Sequence, residues 1–121
     1  MVSLQHEILI DLFKNRPSLA AELLKEVLHI PLPHFTQAQV SSIELNEIQP
    51  AEYRADLVIL LLDHGRPVRV LIVEVQLAKD ENKRFTWAIY VVNARHRYRC
   101  PAALLVIAPD GAVADWCVQQ S

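Results

Sequence analysis

Apolar residues recur along this chain at two periods, one helical and one extended, and the switches between them order the elements. Leu4, Ile8, Leu12 and Phe13 fall at helical spacing behind Ser3, a residue suited to cap a helix, so residues 3–15 are predicted to form an amphipathic helix. Asn15-Arg16-Pro17 ends it. Ser18 opens a second predicted helix with Leu19, Leu23, Leu24 and Val27 as its apolar stripe, and Pro31 and Pro33 forbid continuation. Val40, Ile43, Leu45 and Ile48 are then interleaved with polar residues, which suits a strand over residues 40–48 with one wet edge. Two clearer strands follow, Tyr53 to Leu62 and Val68 to Leu77, separated by Asp63-His64-Gly65-Arg66-Pro67 and read together as a β-hairpin. Near the turn these strands are apolar on both faces, as central strands covered on two sides should be. Residues 80–96 return to helical spacing, with Phe85, Ala88, Ile89 and Val92 on one face and Lys83, Arg84, Trp87 and Arg95 elsewhere. Trp87 and Tyr90 read as packing residues. Ala102 to Ala108 is a short strand-like run, after which Pro109-Asp110-Gly111 turns the chain into a last segment through Trp116. The predicted order is helix, helix, three strands, helix, strand.

Length and composition narrow this picture without changing it. The 121 residues suffice for one domain with a sizeable core, and no repeat, linker or low-complexity tract divides residues 1–121. A hydrophobic fraction of 52%, a charged fraction of 21% and a net charge of -2 describe a globular protein. A net-negative chain has no overall attraction for phosphates, so nucleic-acid binding would need a local basic face or a metal. The longest apolar run, Leu57 to Leu62, is far below the roughly 20 residues that span a bilayer. The first residues lack the basic and long apolar parts of a secretion signal, so a cytoplasmic protein without membrane association is expected. Cys100 and Cys117 have no zinc-type spacing and read as reduced thiols, and the five histidines are too scattered to nominate as a metal cluster. With only Gly65 and Gly111, neither a dinucleotide loop nor a P-loop can be built, and there is no GxSxG elbow.

The chemistry concentrates where acids interrupt the hairpin. Asp56 lies in Arg54-Ala55-Asp56-Leu57-Val58-Ile59 and Glu74 in Val70-Leu71-Ile72-Val73-Glu74-Val75-Gln76. A carboxylate in such a strand costs several kcal/mol unless it is paired, hydrogen-bonded or bound to a metal. Whether the two meet depends on register. A three-residue loop, Asp63-His64-Gly65 or His64-Gly65-Arg66, would pair even-numbered residues with even-numbered ones and put Arg54, Asp56, Glu74 and Gln76 on one face. A two-residue His64-Gly65 loop would separate them. Converging carboxylates suit a hard cation such as Mg²⁺ or Mn²⁺, which can lower the pKa of a bound water. Gln76 could hold that water through its amide.

A helix, a strand-borne Asp, then Glu-x-Gln on the next strand of a hairpin, then a helix and a strand, resembles the PD-(D/E)XK phosphodiesterase superfamily. Tyr53-Arg54-Ala55-Asp56 with Ile72-Val73-Glu74-Val75-Gln76 looks most like its recombination-promoting nuclease and transposase-associated group, in which Gln replaces the usual Lys. The resemblance spans about residues 4–108. It implies an α/β fold, a three-layer α/β/α sandwich with a restriction-endonuclease-like αβββαβ core and a mixed sheet. It also implies a Mg²⁺-dependent nuclease, with metal held by Asp56, Glu74 and the Val75 backbone carbonyl. Glu7 matches the first-helix glutamate that often joins such sites. Many relatives continue with further elements, so C-terminal elements beyond Trp116 are expected to be missing or reduced.

Lys79, Lys83 and Arg84 follow the motif at the start of a helix, where they could reach phosphates, with DNA the expected partner. Arg95-His96-Arg97-Tyr98-Arg99 is the densest basic stretch, although cations also simply suit a helix C-terminus. Each candidate has a plainer reading. Asp56 and Glu74 could be strand-end acids neutralised by Arg54 or another basic side chain, Gln76 an edge polar residue, and Glu7 a solvated residue in a first helical turn. The alternative function is an inactive protein of the same fold that binds nucleic acid or a protein. A homodimer is left open.

Overall fold

The structure, a computed structural model, describes residues 3–41 and 55–112. Helix α1 (Leu4–Asn15) starts where Ser3 leaves the extended region and its hydroxyl accepts the His6 amide at 3.1 Å. Of the stripe expected from sequence, only Phe13 faces inward. Leu4, Ile8 and Leu12 are exposed, whereas Ile10 and Phe13 are buried. At about 100° per residue, the inward row is His6, Ile10 and Phe13, roughly opposite the Leu4 row. Helix α2 (Ser18–Glu22) continues as a π-helical turn over Leu23–Val27, closed by the Leu28 amide on the Leu23 carbonyl at 3.1 Å. Ala20, Ala21 and Leu24 are its buried residues, and Val27 is exposed, against expectation.

Four strands form one mixed sheet in the order β1-β2-β3-β4: β1 (Gln37–Val40), β2 (Leu57–Asp63), β3 (Arg66–Val75) and β4 (Ala102–Ile107). The strand expected over residues 40–48 lies almost wholly outside the described residues; β1 ends where it was to begin. β1 and β3 flank β2 antiparallel, and β4 lies parallel to β3 after the crossover through α3 (Lys83–Tyr98).

The hairpin reaches its register by a route the sequence reading did not foresee. Asp63 pairs with Arg66 across a two-residue turn in which His64 (φ 50) and Gly65 (φ 83) both adopt the left-handed conformation that a tight hairpin needs. Alone, that turn would send Asp56 and Glu74 to opposite faces. A bulge intervenes: Leu62 pairs with Pro67 but Leu61 with Arg69, leaving Val68 extra. One added residue restores even-to-even pairing from Leu60↔Val70 to Val58↔Ile72. Asp56, just before β2, and Glu74 therefore fall on the same side.

Alternation sorts the sheet residues into two apolar clusters. Leu57, Ile59, Leu61, Leu71 and Val73 pack with Phe13, Ala20, Ala21 and Leu24; Val58, Leu60, Leu62, Val70 and Ile72 pack with Trp87, Tyr90 and Ala94. Helix α3 thus buries Trp87, Tyr90 and Ala94, the first two packing as expected, with half-buried Lys83 on the same row, whereas the apolar face read from sequence, Phe85, Ala88, Ile89 and Val92, is exposed. Two causes favour this face. Trp87 and Tyr90 each bury an area worth roughly 4–6 kcal/mol before entropy, and fully buried Ala94 admits the helix close to the sheet. The same face also carries Lys83 toward Glu74, which could not remain buried and charged without a partner. α3 ends at Arg99, in the left-handed conformation, whose amide bonds the Arg95 carbonyl at 2.9 Å.

Candidate functional site

Asp56 and Glu74 stand where the β2–β3 ladder stops, and side chains take over the pairing. The Asp56 amide donates to Glu74 Oε2 at 2.6 Å, and the Val75 amide donates to Asp56 Oδ2 at 2.8 Å. Each strand end thereby satisfies the other, through a side-chain oxygen at each of these two positions. A third contact comes from α1: His6 Nε2 lies 3.0 Å from Asp56 Oδ2. A fourth comes from α3, where Lys83 Nζ lies 3.2 Å from Glu74 Oε1.

The electrostatics follow from burial. Glu74 is 1% exposed. Burial, reinforced by the neighbouring Asp56 carboxylate, pushes its pKa up to about 7 although Lys83 and the Asp56 amide pull the other way. For Lys83, burial acts to lower the pKa, but the Glu74 carboxylate outweighs it and the ammonium is held more firmly than usual. Tyr90, on the same helix face, has its phenol pKa raised by burial and then by Glu74.

A cleft of about 670 Å³ opens beside the pair, lined by His6, Asp56, Gln76, Lys79 and Lys83 among others. Gln76 is buried; its backbone amide donates to the Ile107 carbonyl at 2.8 Å, and its side-chain amide donates to the Ala78 carbonyl. Its side-chain oxygen is the atom left for an incoming donor. Lys79 is exposed at the rim. Glu7 is exposed and lines a smaller cavity of about 370 Å³ with His6 and Asp56, but makes no hydrogen bond to either acid. Arg54 lies outside the described residues, as does the side chain of Arg84.

Of the residues nominated from sequence, Asp56, Glu74, Val75, Gln76 and Lys83 converge. His6 was missed. The signal was available in the phase of α1: with Ile10 and Phe13 inward, the residue four before Ile10 shares their row and Glu7 sits about 100° away. Among the described residues, no three His, Cys, Asp or Glu side chains form a ready-made metal cage, and no helix is long and apolar enough to cross a membrane.

No family model, curated protein or solved structure matches this chain.

Proposed function

We propose that the protein is a metal-dependent phosphodiesterase of the PD-(D/E)XK type that cleaves nucleic acid, with DNA the favoured substrate. The observation that carries this reading is the reciprocal lock between Asp56 and buried Glu74 beside a cleft that Asp56 and Lys83 line. Helices packed against both faces of a mixed sheet whose central hairpin bears the acids support the restriction-endonuclease-like three-layer sandwich. The Glu-x-Gln motif supports kinship with the recombination-promoting nuclease group.

The donor set suits a hard cation. Burial and, after it, the neighbouring Asp56 carboxylate raise Glu74, and Mg²⁺ or Mn²⁺ would relieve the part that is repulsion. Asp56, Glu74 and the Val75 carbonyl are the groups that would hold it. When bound, the ion polarises a phosphoryl oxygen and acidifies a water. The remaining work belongs to the chain. Lys83 supplies the positive charge that Gln76 lacks, and on substrate binding its ammonium can turn from Glu74 Oε1 to a phosphate oxygen. The Gln76 oxygen accepts a hydrogen bond from the attacking water and orients it. Lys79 at the rim takes a neighbouring backbone phosphate, a role that Arg84 would share. A cytoplasmic location fits this activity, and the protein could act as a monomer or a homodimer.

A second reading is favoured by one observation: Lys83 already neutralises Glu74 without a cation. In that case the acids only lock the hairpin, and the fold serves as a binding module. Metal linkage separates the two. Mg²⁺ or Mn²⁺ at about 100 times its dissociation constant should stabilise a genuine site by about 2.7 kcal/mol. Thermal unfolding with and without these ions reads this directly, and Asp56→Asn should abolish the response. Equal stability with and without ions would leave the binding module as the better account.

A further inference from the structure

The α1 histidine joins the acid pair, yet neither the motif nor the chemistry above assigns it a role. We propose that His6 is a positioning residue of the same site: its Nε2–H donates to Asp56 Oδ2, holding that carboxylate so that Oδ1 is the oxygen presented to a cation. The inference rests on the metal-site reading above.

Three observations carry it. Asp56 Oδ2 receives two donors, the Val75 amide at 2.8 Å and His6 Nε2 at 3.0 Å, while no hydrogen bond engages Oδ1 among the described residues. Two bonds to one oxygen from different elements, a strand amide and a helix side chain, remove the freedom of the carboxyl to rotate. It is then ready to bind through Oδ1, and less entropy is lost on binding.

The second observation concerns the tautomer. His6 Nδ1 is buried and has no hydrogen-bond partner among the described residues. A proton on Nδ1 would leave an N–H buried and unsatisfied, and would aim the bare lone pair of Nε2 at a carboxylate. A proton on Nε2 instead gives Asp56 its hydrogen bond and leaves only a lone pair unpartnered, the cheaper arrangement. Of the two tautomers, Nε2–H is therefore the one that the surroundings select.

Third, the helix enforces the placement. His6 continues the inward row of Ile10 and Phe13, and the amide of His6 is itself pinned by the Ser3 cap at 3.1 Å. The ring is thus carried by a capped first turn anchored in the core, and both His6 and Asp56 line the cleft beside the acid pair. Glu7, one position on, is turned away from this row.

The test measures Mn²⁺ binding by titration calorimetry on the intact chain, comparing wild type, His6→Leu and His6→Gln. Leu keeps the bulk and removes the donor; Gln keeps an N–H donor without an imidazole. Loss of an outer-shell partner of this kind typically weakens metal affinity by about 10–100-fold. We expect His6→Leu to show that loss and His6→Gln to recover most of it, with both variants folded by circular dichroism. Nitrogen-15 spectra of the metal-free protein should report the Nε2–H tautomer, a readout independent of metal and activity. Mn²⁺ affinity unchanged in folded His6→Leu, while wild type binds, would overturn the role of His6 alone. Loss in both variants would also overturn it, marking the imidazole as a direct ligand. If wild type binds no metal, the site reading and this inference fall together. Should His6→Leu fail to fold, the Gln variant and the tautomer decide.

Discussion

Replacing Glu74 by Gln should remove a pH dependence of stability that runs opposite to that of most carboxylates. In the folded protein Glu74 titrates at about 7, against 4.5 when unperturbed, because burial and Asp56 outweigh Lys83. Between those values the native state holds a proton that the unfolded state has released. The contribution is therefore complete below pH 4.5, declines as pH rises, and is gone above about pH 7. At 1.36 kcal/mol per pKa unit the difference amounts to about 3 kcal/mol. Glu74 is 1% exposed, so solvent screening does little to reduce it. Gln has nearly the same shape and an oxygen that can still accept the Asp56 amide, so any fixed cost of the substitution offsets the whole profile without bending it. Urea unfolding of both proteins from pH 4 to 8.5 gives the assay. The stability of wild type minus that of Glu74→Gln should fall by about 3 kcal/mol across the window. Saturating Mn²⁺ should reduce the fall, since the ion favours the deprotonated acid. A flat difference, or one that rises with pH as for an acid held down by Lys83, would refute the reasoning.

Further outcomes follow from the same geometry. Lys83→Met strips Glu74 of its counter-charge; allowing for the partial exposure of Lys83, it should cost about 1–3 kcal/mol at pH 8 and distinctly less at pH 5, where Glu74 is protonated, as read by urea unfolding. Trp87→Ala should cost about 3–5 kcal/mol, whereas Phe85→Ala on the exposed row should cost under about 1 kcal/mol; equal costs would mean that α3 is rotated from the orientation described. Gly65→Val meets no atom within 4 Å of its new Cβ but demands a left-handed φ near +83, so thermal unfolding should show a loss of about 1–3 kcal/mol from backbone strain alone.

The comparison between sequence and structure turns on phase. Element type was legible wherever periodicity was strong: α1 behind its Ser3 cap, the two central strands and β4 all lie within a few residues of expectation. Helix faces were legible only in part: Phe13, Leu24, Trp87 and Tyr90 are buried as expected, but α1 and α3 each carry two apolar rows and only the partner surface decides between them. In α3 the row with a tryptophan, a tyrosine and a small alanine won over one with a phenylalanine and two β-branched residues. That choice brought Lys83 to Glu74, and the parallel choice in α1 brought His6 instead of Glu7 to Asp56. The meeting of Asp56 and Glu74 was anticipated through a three-residue loop. It arises instead from a two-residue turn plus a bulge at Val68, two departures that cancel in parity. A bulge beside Pro67 is compatible with a proline that cannot donate to the ladder, but apolar alternation around it gives no warning.

The most direct test of the central claim is cleavage by the purified protein of supercoiled DNA, linear DNA and RNA in Mg²⁺, Mn²⁺ or EDTA, with Asp56→Asn as control. Asn keeps an oxygen that can accept the Val75 amide and so preserves the hairpin lock while removing the charge. Cutting that requires a divalent cation and disappears in folded Asp56→Asn is the expected result, with DNA cut in preference to RNA. Absence of cutting on every substrate, or cutting that persists equally in Asp56→Asn, would contradict the nuclease account.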